Sequence, residues 1–114
     1  MSNADVVRAA FEAYRQEDRA AAEPLYGPEL RFTSPQDDHI DRAAFFERCF
    51  PTASRFRTWR LLHVAEADDR DVYATYEYEL PDGDTHRNTE LITVEDGRIV
   101  EVQVFFGGRY DGAS

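Results

Sequence analysis

Alternation of apolar and polar residues is strongest in Asn88–Gly107, NTELITVEDGRIVEVQVFFG. Two runs rich in Val, Ile, Thr and Phe flank Glu95-Asp96-Gly97, and Asp-Gly between such runs is the chemistry of a tight hairpin turn. On the first strand of this predicted β-hairpin Asn88, Glu90, Ile92 and Val94 share a face. On the second, Val100, Val102, Val104 and Phe106 fall on one face and Ile99, Glu101, Gln103 and Phe105 on the other. With the Val face turned to a core, Glu90 and Asn88 point into apolar surroundings. A buried carboxylate without a partner is costly, so this placement asks for a chemical reason.

Upstream, the period changes. Val7, Ala10, Phe11 and Tyr14 recur at three- and four-residue spacing and predict a helix over Ala4–Arg15, capped by Ser2 or Asn3, with Asp5 in its first turn. Asp18 can cap a short helix through Ala20–Ala22 to Leu25, which Tyr26-Gly27-Pro28 ends. Leu30–Ser34 reads as a short strand with Phe32 and Ser34 on one face, and Pro35–Ile40 as a loop. Asp41 caps a third helix, Arg42–Phe50, with Phe45, Phe46, Cys49 and Phe50 on its apolar side and Pro51 as its boundary. Arg55–Glu66 is a strand long enough for a bulge, and its facing is ambiguous: Trp59, Leu61 and His63 compete with Thr58, Leu62 and Val64. Asp71–Leu80 sets Ala74, Tyr76 and Tyr78 on one face and Glu77 and Glu79 on the other. Gly107 and Gly108 end the last strand, and Tyr110–Ser114 is read as a loose tail.

Helices first and a strand meander after them imply an α+β fold with helices on one face of the sheet. Long twisted strands curl, so the expected form is a cone-shaped curved antiparallel sheet with the N-terminal helices across its concave face and a pocket inside. The whole chain, 1–114, is read as a single domain.

Composition changes this picture in two ways. The formal net charge is −10, from 23 Asp plus Glu against 13 Lys plus Arg, which disfavours nucleic-acid and anionic-membrane partners. The single Cys49 excludes an internal disulfide and a multi-cysteine zinc motif. With no apolar run of bilayer length and no signal-peptide pattern at Met1, a soluble cytoplasmic protein is expected.

The runs Val6–Asp18, Phe32–Pro35 (FTSP), Ile40–Arg48 (IDRAAFFER) and the closing hairpin resemble, in order, the SnoaL-like group of the nuclear-transport-factor-2-like superfamily. The resemblance implies a cone-shaped α+β barrel, often dimeric, with an apolar cavity. The superfamily's members include polyketide cyclases, ketosteroid isomerases, dehydratases, hydrolases and non-catalytic binding domains, so the fold does not fix the function. In the isomerase relatives a general-base Asp precedes the Pro that ends the first strand; here Ser34 stands there. The helix-one tyrosine donor of those relatives matches Ala10, with Tyr14 one turn later, and their protonated acid on the penultimate strand matches Glu90. Cyclase relatives use an acid–base Asp and a His, for which Asp38 and His39 are the right types.

The candidate catalytic set is therefore Glu90, Ser34, Asp38 and His39, and the candidate ligand-binding set Tyr14, Phe32, Phe45, Tyr76, Asn88, Val104 and Phe106. For Ser34 the alternative is a bond to neighbouring backbone. For Asp38 and His39 it is a solvated loop, which the residue pattern favours. No metal and no organic cofactor is expected. The favoured function is binding of a small hydrophobic carbonyl compound, with acid–base chemistry at Glu90. The competing reading is a non-catalytic interaction module whose interior is filled by side chains. A homodimer through the outer sheet face, by way of Tyr73, Ile99 and Phe105, is expected.

Overall fold

Helix α1, Asn3–Arg15, begins at Ser2, whose side chain accepts from the Asp5 N–H while the Asp5 carboxylate accepts from the Ser2 N–H, a reciprocal capping box. The helix buries Val6, Val7, Ala10 and Ala13 against the sheet, with contacts to its third, fourth and sixth strands. The structure, a computed structural model, describes residues 1–110, so most of the expected tail at 110–114 lies outside the described residues.

Asp18 caps α2, Arg19–Ala22, by accepting from the Ala21 N–H, and a 3₁₀ turn, Glu23–Leu25, leads directly into β1, Tyr26–Ser34. Tyr26-Gly27-Pro28 thus opens a strand rather than closing a helix. The expected loop after it is also corrected: β2, Asp37–Ile40, folds back on β1 as an antiparallel edge strand, with Phe32 opposite Ile40 and Ser34 opposite Asp37. A strand paired on one side and mostly wet needs no apolar pattern, which is why Asp-Asp-His-Ile read as loop.

Asp41 caps α3, Arg42–Ala44, as expected, but the helix does not continue regularly. It widens into a π-helical turn, Phe45–Cys49, and tightens into a 3₁₀ segment, Phe50–Arg55, with a break in helical geometry at Pro51. The wide turn lets the adjacent Phe45 and Phe46 both be buried.

Strands β3 (Thr58–Glu66), β4 (Asp71–Glu79), β5 (Thr85–Glu95) and β6 (Arg98–Arg109) complete a curved six-stranded sheet of order β2-β1-β6-β5-β4-β3. Every neighbouring pair is antiparallel except β1 with β6, which run parallel. Asp96 and Gly97 both have positive φ, 53° and 75°, the geometry that the two-residue hairpin turn demands.

Bulges decide which residues face the helices. In β3 the register shifts between Leu61 and His63, so Trp59 and Leu61 face inward before it and Val64 after it. Each competing facing of this strand therefore holds for half of its length. A second shift lies across the hairpin: Thr93 pairs with Glu101, yet Val94 pairs with Ile99. Strict alternation put Ile99 on the outer face; the extra residue turns it inward, and it is 1% exposed. A third shift, between His86 and Asn88, corresponds to Gly107 and Gly108 on β6, which continue the strand to Arg109 rather than ending it. Gly108 has φ of +81°, and a Cβ on Gly107 would lie 2.4 Å from the Arg87 carbonyl oxygen, so the bend requires both glycines.

The core lies between α1, the Phe45–Phe50 turn and the concave sheet face. Val7, Ala22, Leu30 and Val72 are fully excluded from solvent. Burying each larger aliphatic side chain contributes roughly 1.5–3 kcal/mol.

Candidate functional site

The mouth of the concave face is built from matching strand ends. The C-terminal end of β1, the start of β3, the end of β4, the start of β5 and the end of β6 lie together, as the pairings Trp59–Tyr78, Tyr78–His86 and Asn88–Phe106 require. The segment Phe45–Arg55 crosses beside them. Between these walls lies a cavity of about 580 Å³, reaching from Phe106 and Phe56 inward to Ile92, Ile99 and Tyr26.

Glu90 stands on the cavity wall, opposite Val104 in the hairpin and Ala74 on β4. Its carboxylate accepts one side-chain hydrogen bond, from the Tyr76 hydroxyl to Oε2 at 2.7 Å. Tyr76 faces it on the diagonal of adjacent strands. The Asn88 side-chain amide donates to the Tyr76 oxygen at 3.3 Å, which leaves the tyrosine proton for the carboxylate. Among the described residues no arginine or histidine forms an ion pair with Glu90. Burial therefore dominates and raises the Glu90 pKa to about 7, against the smaller lowering effect of the Tyr76 hydrogen bond. Burial and the Glu90 charge together hold the Tyr76 hydroxyl well above its usual pKa, so it stays a donor.

Tyr76 is held by a stack of rings. Trp59 lies against it at 5.0 Å between centroids, and Phe11 of α1 packs on both at 5.4 and 5.6 Å. Arg15 also holds Trp59, lying over its ring and donating to its backbone carbonyl at 2.7 Å. The hydroxyl that controls Glu90 is thus positioned by three elements.

The other expected donors are differently placed. Tyr14 lines the cavity, but the Thr52 hydroxyl donates to the Cys49 carbonyl at 2.7 Å, so the Tyr14 proton goes to the Thr52 oxygen at 2.7 Å. Burial raises the Tyr14 pKa to about 12. Ser34 also lines the cavity, yet its hydroxyl donates to Asp37 at 3.3 Å and accepts from the Gln36 N–H at 3.1 Å, local bonds within the turn. Phe32, Phe45, Asn88, Val104 and Phe106 are on the wall, Phe106 at its rim and 48% exposed.

Asp38 and His39 are a correction. They bond each other at 2.5 Å on the outside of β2, with side chains 93% and 64% exposed, and neither reaches the cavity. Asp37 lines the mouth instead, where Arg48 lies 3.6 Å from it, and a positive φ of 49° at His39 breaks the alternation that would otherwise set the imidazole on the same face. Sequence reasoning missed Arg48, Thr52 and Arg55 as lining residues. The signal was there: Phe45, Cys49, Thr52 and Arg55 continue one face at three- and four-residue steps, with Arg48 beside Cys49. Cys49 lines the wall too, its thiol pushed up to about 11 by burial and therefore unreactive as a thiolate. No cluster of three or more metal-ligating side chains occurs among the described residues.

The profile of the SnoaL-like domain family matches residues 7–102. The chain belongs to the SnoaL-like domain family. Solved structures of the nuclear-transport-factor-2-like fold superimpose on it over nearly its full length. A protein from Kribbella flavida DSM 17836 does so with TM-score 0.78 at 21% identity, covering 90% of this chain and 84% of its own. Bal32a, from a soil-derived mobile gene cassette, gives 0.79 at 21% identity, covering 92% and 88%. A proposed polyketide cyclase from Sinorhizobium meliloti gives 0.75 at 17% identity, covering 89% and 94%. At such identities the likeness is one of fold. A search of curated proteins finds no match. Within the described residues no helix is long and apolar enough to cross a membrane.

For a SnoaL-like domain, the arrangement offers one carboxyl group that exists in both protonation states near neutral pH, one hydroxyl donor beside it, and aromatic walls.

Proposed function

We propose that this domain binds a hydrophobic carbonyl compound in its cavity and moves a proton at the carbon next to the carbonyl, with Glu90 as the acid–base group. The observation that carries this is the position of Glu90: on an aromatic cavity wall, with the Tyr76 hydroxyl as its side-chain partner and a pKa of about 7. A general acid–base group works best with its pKa near the working pH.

In the step envisaged, ionised Glu90 accepts the proton from the substrate carbon. The electron pair of that C–H bond moves to the carbonyl oxygen, giving an enolate. Neutralised, Glu90 no longer competes for the Tyr76 proton, and the Tyr76 hydroxyl donates to the enolate oxygen instead. Returning the proton to the same or a neighbouring carbon completes exchange or isomerisation. Asn88 supports Tyr76, and Ser34 and Tyr14 shape the wall. The competing reading, an interior filled by side chains, fits poorly with a cavity of about 580 Å³, a size within the ~300–1,000 Å³ usual for small-molecule sites.

The test is deuterium exchange in D₂O, followed by proton NMR, on a panel of cyclic ketones and enones. Wild-type protein should accelerate exchange at the carbon next to the carbonyl, and Glu90→Gln should lose at least about 100-fold of that rate. A Glu90→Gln variant as fast as wild type removes Glu90 from the chemistry. No acceleration of any panel member by wild type overturns the catalytic reading.

The functional unit is proposed to be a homodimer through the outer sheet face. Tyr73 and Phe105 are 45% and 53% exposed there, with Leu91 between them across the ladder. Ile99, expected in that patch, is in the core.

A further inference from the structure

Two arginines line the cavity, both on the segment that crosses its mouth, and they are not equivalent. All thirteen basic residues of this chain are arginines, and most are answered locally by a carboxylate or a carbonyl. Arg48 is answered by Asp37. Arg55 forms no ion pair among the described residues. Its charge nevertheless reaches the Tyr14 hydroxyl in the cavity wall. The acids that line the cavity are Asp37 and Glu90. With Asp37 and Arg48 compensating each other, the mouth carries a free guanidinium at Arg55 and the interior carries Glu90.

This is the reverse of the chain's overall balance. A protein of formal net charge −10 repels anions on average, so an uncompensated arginine on a cavity wall is a local exception to its own field. Guanidinium is also the side chain best shaped for a planar oxyanion. The geometry points to a ligand that is amphipathic and anionic: an apolar carbonyl body in the cavity, with an oxyanion group, such as a carboxylate, held at the mouth by Arg55. This names the substrate class for the site proposed above and rests on that reading of the cavity. It makes Arg55 a specificity-determining residue with no part in the proton transfer.

Two dyes that differ mainly in charge test it: 8-anilino-1-naphthalenesulfonate, an anion, and N-phenyl-1-naphthylamine, which lacks the sulfonate. Both should bind wild-type protein with enhanced fluorescence, and the neutral dye should displace the anionic one. Arg55→Ala should weaken the anionic dye about fivefold, as expected for one exposed charge pair, and Arg55→Glu should weaken it further. Neutral-dye affinity should stay within about twofold for both variants, which also shows that they fold. Added salt should weaken the anionic dye in wild type more than in Arg55→Ala. Equal affinity of wild type, Arg55→Ala and Arg55→Glu for the anionic dye overturns the inference and leaves the cavity reading standing. Anionic dye that the neutral dye does not displace overturns it as well, because the anion then sits elsewhere. Wild-type protein that binds neither dye overturns the cavity reading, and the inference with it.

Discussion

Replacing Glu90 by Gln should change how stability depends on pH, and the size of the change follows from the site. Gln keeps the shape and an oxygen that accepts from Tyr76, but cannot ionise. In the wild type the Glu90 carboxyl has a pKa of about 7 when folded against a model value of 4.5. Below the lower value it is protonated in both states and has no pH-dependent effect. Between the two, the unfolded chain releases the proton and the folded chain keeps it, so stability falls as pH rises. Each unit of pKa difference corresponds to about 1.4 kcal/mol, so the full loss across this window is about 3 kcal/mol. Other carboxylates titrate too: Asp5 in the capping box of α1 and Asp68 in the turn between β3 and β4, whose pKa values are lowered by backbone hydrogen bonds, act in the opposite sense at lower pH. The informative quantity is therefore the difference between the two proteins. Urea unfolding of wild type and Glu90→Gln at intervals from pH 4 to 8 should show Glu90→Gln gaining on wild type by about 3 kcal/mol, with most of the gain between pH 5 and 7. Parallel stability curves would show that Glu90 titrates alike in both states. The desolvated-acid argument would then be wrong, and the acid–base proposal would lose its basis.

Three further outcomes are expected. Tyr76→Phe removes the hydrogen bond that favours the ionised carboxylate, so the Glu90 pKa should rise by about one unit; carboxyl-carbon NMR reads this directly, and an unchanged or lower value refutes the bond's role. Gly107→Ala sets a Cβ against the Arg87 carbonyl and should cost more than about 1 kcal/mol in urea unfolding, whereas Gly107 in a merely terminal loop would tolerate alanine. Light scattering at micromolar concentration should report a dimer for wild type and a monomer for Phe105→Glu, and a monomeric wild type counts against the outer-face interface.

What the sequence made legible was what period and turn chemistry control directly. Strict alternation set Glu90, Ile92 and Val94 of β5 on one face, and the Asp96-Gly97 turn closed the hairpin; the pairing of Glu90 with Val104 needs the bulge as well, because the register at the turn alone would set Glu90 opposite Gln103. What alternation could not supply was the position of the bulges. Each adds one residue and inverts the facing beyond it, and where it falls depends on how the sheet must curve around α1. That is why Ile99 was read as outward and why β3 resisted assignment. The parallel pairing of β1 with β6 joins residues some seventy positions apart and has no local signature. Asp38 and His39 had the right chemistry for a cyclase-like pair but stand on the wrong side of an edge strand that their own polarity concealed. Tyr76 was legible as a wall residue. Its bond to Glu90 needed the β4–β5 register, which brings two residues fourteen positions apart onto one diagonal.

The identity of Glu90's partner matters as much as its burial. An arginine within reach would hold the carboxylate ionised and pull its pKa below the ordinary range, which suits a structural ion pair and leaves nothing to titrate at neutral pH. This chain has thirteen arginines and pairs none of them with Glu90 among the described residues. Glu77, one residue beyond Tyr76 on the opposite sheet face, takes both Arg60 and Arg87 instead. Period-two alternation thus separates the two kinds of carboxylate: the outward one is paired with two arginines, and the inward one meets a neutral hydroxyl that moderates its desolvation without overcoming it. Arg55 remains at the mouth, where it can answer a ligand's charge without quenching the acid inside. The cost of burying Glu90 and its availability near pH 7 therefore have one physical origin, and a substitution that relieves the first removes the second.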